Sequence, residues 1–162
     1  MIDIVDFHGE MFDLGFSNVY HMRDFNIAIG SKDNRKLAED KKLDILLSPE
    51  LDSKGSSLVS RDSGLNEVIC KIARKNNVAI GFSFSSILRS RDRVSLLASI
   101  SQNIKLCRKY KVRMVMASFA KDKYEMRHAR DLLNFCLVLG MNVKEAKEAL
   151  NFSKKEEIPR FA

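Results

Sequence analysis

Three short apolar runs, Ile45-Leu46-Leu47, Val78-Ala79-Ile80 and Met114-Val115-Met116, alternate with stretches of helical spacing, and this alternation constrains the fold more than any other feature. A strand that is apolar at consecutive positions has both faces covered, as strands of parallel sheets under helices do. Strands are expected at 2–7, 17–20, 26–29, 43–47, 78–84 and 112–117, and a short polar helix at 33–42. Between 65 and 76, Leu65, Val68, Ile69, Ile72 and Ala73 recur at helical steps, with Asp62 or Ser63 as the expected cap. Between 94 and 110, Val94, Leu97, Ile100, Ile104 and Cys107 line one face and leave Lys105, Arg108 and Lys109 off it. A helix over 130–139 ends at Gly140, and Asn142 with Glu145 forms a capping-box pair for a final one. Residues 50–63 are expected as an exposed loop. Strand and helix in alternation imply an α/β domain with a mainly parallel sheet, and periodicity fits an open doubly wound sheet or a reduced β/α barrel equally well.

At 162 residues the chain is expected to be a single domain over 1–162, with a flexible tail at 153–162. No apolar run approaches the ~18–20 residues of a membrane span, and the first residues are acidic rather than basic and then apolar. No membrane partner and a cytoplasmic location are therefore expected. Cys70, Cys107 and Cys136 are widely separated, odd in number and set in apolar helical patterns, as reduced core thiols are.

Positive charge is concentrated in one segment. Residues 87–130 hold twelve Lys and Arg against three Asp and Glu, a net of +9, while residues 1–86 sum to −2. A field focused in this way favours a polyanionic partner. Arg89, Arg91 and Arg93 follow the strand at 78–84, and Lys121, Lys123, Arg127 and Arg130 follow the strand at 112–117. Segments leaving the carboxyl ends of parallel strands share one rim, so these two groups are expected to meet there, where guanidinium forks suit phosphate oxygens. Few aromatics interleave with the cations, and Phe82 and Phe84 read as core, which favours recognition of structured RNA by its backbone. No phosphate-binding glycine loop or nucleophile elbow is present. Two alternatives stand beside RNA binding: a metal-dependent phosphoesterase using Asp6 and His8, and a protein–protein scaffold whose basic charge is incidental.

Three blocks carry a family resemblance. They are Leu43-Asp44-Ile45-Leu46-Leu47-Ser48-Pro49-Glu50, then Arg61-Asp62-Ser63-Gly64-Leu65-Asn66-Glu67-Val68 running on to Val78-Ala79-Ile80-Gly81-Phe82-Ser83-Phe84, then Met126-Arg127-His128-Ala129-Arg130-Asp131-Leu132, with Leu139-Gly140-Met141 behind them. In this order and spacing they resemble archaeal ribonuclease P protein component 3, related to the thirty-kilodalton subunits of the eukaryotic enzyme. Ser48 stands where the family has His, Ala129 where it has Pro, and a turn the family builds as S-G-A reads Ser118-Phe119-Ala120.

The resemblance implies a TIM-barrel-like β/α fold, compact or incomplete here because the N-terminal part is short. It implies a non-catalytic protein subunit of ribonuclease P, the endoribonuclease that removes 5′ leaders from precursor tRNA. In that enzyme the RNA performs hydrolysis with Mg²⁺, so no cofactor is expected on the chain itself. The implied partners are the RNase P RNA, precursor tRNA as substrate of the assembly, ribonuclease P protein component 2 and other RNase P proteins. By position in the matched blocks, Arg61, Lys71, Arg127 and Arg130 are the implied RNA contacts. Arg89, Lys105 and Arg108 join them on charge and helix geometry.

Overall fold

The computed structural model describes residues 1–52 and 62–153. Its strands are Ile2–Val5 (β1), Asn18–His21 (β2), Ile27–Ile29 (β3), Ile45–Leu47 (β4), Ala79–Ser83 (β5) and Met114–Ala117 (β6). Its α-helices are Asn34–Glu39 (α1), Glu67–Lys75 (α2), Phe84–Arg89 (α3), Arg93–Tyr110 (α4), Ala129–Val138 (α5) and Val143–Ala149 (α6). All strand pairings are parallel, β1 with β2 and β3-β4-β5-β6 in order. The two sheets join where β1 lies along the exit of β6. Phe119 N–H donates to the Ile4 carbonyl at 2.8 Å and Asp6 N–H to the Ala120 carbonyl at 2.7 Å. The strand order is thus β2-β1-β6-β5-β4-β3, and among the described residues no ladder joins β2 to β3. The barrel is incomplete at that seam, where Phe25 packs edge-on to Tyr20 with ring centroids 5.8 Å apart.

Side-chain alternation along the strands produces two large cores, and Val5, Ala120 and Met126 form a third, small one beside β1. Ile2, Ile4, Ile45, Leu47, Ala79, Val115 and Ala117 point into the barrel, together with Phe25, Phe119 and Phe152 from outside the strands. Leu46, Ile80, Phe82 and Met116 point outward against the helices. The double burial expected of the apolar runs is therefore real, and truncating one of these side chains to Ala would cost about 2–5 kcal/mol. The barrel interior leaves no room beside Gly81, where a Cβ would stand 2.6 Å from Ile45 Cγ2.

Several expectations need correction. The strand at 78–84 stops at Ser83, whose hydroxyl accepts from Ser86 N–H and starts α3, a helix the apolar run concealed. The stripe on α4 is shifted: Val94 is 81% exposed, whereas Leu96, Ser99 and Asn103 are buried. Asn103 is buried because its amide bridges Glu50 and the Ser63 carbonyl, at 3.2 and 2.9 Å. Helix α2 is capped by Asn66 rather than by Asp62 or Ser63. Asp62 instead accepts from Gly64 N–H in a tight turn, and Gly64 has φ +77° with its α-carbon against the Pro49 carbonyl. Glu50 and Ser63 are buried, not part of an exposed loop. The rest of that loop, 53–61, and the tail at 154–162 lie outside the described residues.

The three cysteines are buried and free. Burial pushes the thiols of Cys70 and Cys136 up, to about 11 and about 12, so they stay protonated and act as small apolar groups.

Candidate nucleic-acid interface

The segments leaving β5 and β6 meet at the carboxyl rim. Ser85, at the start of α3, donates its N–H to the Ser118 carbonyl and its hydroxyl to the Phe119 carbonyl, both at 2.9 Å. This brings α3 against the short turn Lys123–Glu125, where Arg89 Nε meets Glu125 Oε1 at 2.5 Å. The other oxygen of Glu125 accepts from Lys121 N–H at 2.8 Å. Arg127 lies over the Phe84 ring, 5.3 Å from its centroid, and Phe84 in turn packs edge-on to Phe135. Through Nη1 the same guanidinium donates to the carbonyls of Tyr124 and Met126 at 2.8 and 2.7 Å. Among the described residues its Nε and Nη2 have no hydrogen-bond partner, so half of the fork is open to an anion. Arg130, in the first turn of α5, is exposed on the same rim.

The remaining candidates lie elsewhere. Lys71 pairs with Glu67 at 2.6 Å on the outer face of α2. Lys105 is exposed on α4, and Arg108 near its end holds Glu145 of α6 in a two-pronged pair at 2.7 and 2.6 Å while donating to the Gly140 carbonyl. Because α4 runs back to feed β6, its end lies away from the carboxyl rim. The structure thus brings Arg89 and Arg127 together at the turn Lys123–Glu125, leaves Arg130 exposed at the start of α5, and places Lys71, Lys105 and Arg108 on the helical layer. Arg61 lies outside the described residues.

Two aromatic residues on the rim were not legible in the sequence. Tyr124 is 73% exposed and Phe12, from the long β1–β2 connection, is 46% exposed. Their ring centroids are 6.0 Å apart, and Lys123 Nζ lies over both rings. Nothing in the local spacing marks Phe12, because its approach depends on the connection crossing α5, where Leu14 C=O accepts from Ala129 N–H at 2.8 Å.

The carboxylates near the rim serve the fold. Asp3 is buried beneath it, and burial raises its carboxyl above the ordinary range against the pull of the Ser118 and Ile4 donors. Burial pushes Glu50 up to about 7, opposed by a backbone N–H and by Asn103. Asp6 and His8 are exposed, and the His8 ring is stacked on His21 with centroids 4.3 Å apart. Among the described residues no three His, Cys, Asp or Glu side chains converge as a metal-binding group.

Comparison with known proteins gives a consistent result. The family described as RNase P subunit p30 matches residues 18–156. Ribonuclease P protein component 3 of Methanosarcina mazei is 36% identical over 129 residues, covering 78% of this chain and 51% of its own length. The protein of the same name from Thermococcus gammatolerans is 34% identical over 128 residues, covering 78% and 56%. The chain spans about half the length of these curated relatives. A chain in the cryo-EM structure of archaeal ribonuclease P with mature tRNA superposes with a TM-score of 0.72 at 23% identity, over 93% of this chain and 87% of that one. At that identity the likeness is one of fold.

Proposed function

The chain belongs to the RNase P subunit p30 family, and from that premise we propose that it is a protein subunit of ribonuclease P, binding the RNA of that enzyme and supporting removal of 5′ leaders from precursor tRNA. The observation that carries the reading is the convergence of two basic segments on one barrel rim, with part of the Arg127 fork unpaired. Phosphates crowd where an RNA folds on itself, and cations fixed on a rigid rim relieve that crowding and so favour the folded RNA in which its Mg²⁺ sites are formed. Arg127 is held by two carbonyls and an aromatic face, so little side-chain freedom is lost on binding. Hydrolysis belongs to the RNA in this reading, and the chain supplies position and charge. Ribonuclease P protein component 2 is the proposed protein partner, and the cytoplasm the proposed location.

The test is cleavage of precursor tRNA by the cognate RNA at limiting Mg²⁺, with component 2 alone, with this chain alone and with both. Strong activation only with both is the expected result. Unchanged cleavage in all three arms would overturn the reading. RNA affinity should also fall with salt, with a log–log slope of about −0.7 to −0.9 for each phosphate neutralised.

A further inference from the structure

We propose that Tyr124, Phe12 and Lys123 form a stacking site for one unpaired RNA base, beside the phosphate-binding rim. This deepens the ribonucleoprotein reading and rests on it. Tyr124 and Phe12 are large rings left in solvent, inclined at 61° to each other, and Lys123 Nζ stands 5.3 Å from one centroid and 5.5 Å from the other. A ring face next to a cation matches a nucleotide, which presents a flat π-system and a phosphate together.

The platform is also held in place. Tyr124 N–H donates to Asp122 Oδ1 at 2.8 Å, the Tyr124 carbonyl accepts from Arg127, and Glu125 is held by Arg89 and by Lys121 N–H. A backbone pinned from both sides keeps the ring presented without an ordering cost on binding. The segment around the rings is basic, with Lys121, Lys123, Arg127 and Arg130 against Asp122 and Glu125, and Glu125 is paired with Arg89. That charge favours an anionic nucleotide over an apolar protein surface, for which a central ammonium would be costly to bury. Duplex RNA keeps its bases stacked inside, so the site selects an unpaired nucleotide: a loop, a bulge or a single-stranded end.

The experiment compares binding of two RNA probes to the full chain, a single strand of about twelve nucleotides carrying 2-aminopurine and a blunt duplex of the same sequence. Tyr124→Ala should weaken the single strand about tenfold and abolish the fluorescence quenching that stacking produces, while duplex affinity is unchanged. Tyr124→Phe should behave as the parent protein. Arg127→Ala should weaken both probes. Loss of affinity for both probes in Tyr124→Ala, or for neither, would overturn the stacking site. If the parent protein binds neither probe in a salt-dependent way, the ribonucleoprotein reading fails and the stacking site with it. Single-strand binding unaffected by Tyr124→Ala while component 2 binding is lost would reassign the patch to a protein partner and overturn the proposal.

Discussion

Asp3 accepts hydrogen bonds from both the backbone N–H and the hydroxyl of Ser118, each at 2.6 Å, one on each carboxylate oxygen. Both residues are fully buried, and the contact fastens β1 to the exit of β6 just below the basic rim. The rim's geometry therefore rests on a buried polar link between β1 and β6.

Replacing Asp3 with Ala leaves the Ser118 N–H without its acceptor in a buried site, and leaves the hydroxyl only the Ile4 carbonyl at 3.5 Å. Chemical denaturation should report a loss of about 2–4 kcal/mol. Asp3→Asn, which keeps one carbonyl acceptor, should lose less. A loss below about 0.5 kcal/mol for Asp3→Ala would mean that β1 is held by packing alone.

Phe119 occupies the left-handed region at φ 45° with its ring buried in the barrel. Removing the ring should cost about 3–5 kcal/mol. Ala retains the unfavourable backbone and Gly does not, by about 1–2 kcal/mol. Phe119→Gly should therefore be more stable than Phe119→Ala, reversing the usual order of these residues. Equal unfolding midpoints for the two variants would argue against backbone strain here.

Glu50 has an ordinary value of 4.5 and is pushed up to about 7 by burial. The folded protein thus binds a proton here over a range in which the unfolded chain has released it. Stability from this site is complete below about 4.5, falls as pH rises through about 7, and the change is of order 3 kcal/mol. Urea titrations from about pH 5 to about pH 8 should show this decline, and Glu50→Gln should flatten it. An equally steep decline in the Gln variant would locate the proton elsewhere.

Arg108 and Arg130 should separate stability from binding. Arg108→Ala breaks a two-pronged pair that ties α4 to α6, and a double-mutant cycle with Glu145→Ala should return a coupling of about 0.5–1 kcal/mol. Arg130→Ala touches no such partner among the described residues and should leave unfolding unchanged while weakening RNA. Unfolding shifts of the same size in both variants would count against this division.

The strands around 45, 80 and 115 were legible because residues buried on both faces leave an unbroken apolar run. Helix α3 was hidden by the same rule, since Phe82, Ser83 and Phe84 read as continued strand until the Ser83 hydroxyl turns the chain. On α4 the apolar stripe misled because Ser99 and Asn103, both polar, belong to the buried face, while Val94 lies off it. Arg89 and Arg127 could be assigned to one rim because position after a parallel strand fixes where a segment emerges. Phe12 and Tyr124 could not, because they meet only through the crossing of the β1–β2 connection over α5.

Ile2 N–H donates to the Leu150 carbonyl at 2.7 Å, and β1 is otherwise bonded to β2 and to residues 118–120. Residues 2–5 can pair with 18–21 at once, but their other edge has no partner until residues 118–120 have been translated. Contacts this distant in sequence slow the search for the native pairing, and an exposed apolar strand in that interval invites association with other chains. That edge of β1 is closed by residues 115 positions further along the chain, so the join between the two sheets forms late whatever local pairing precedes it.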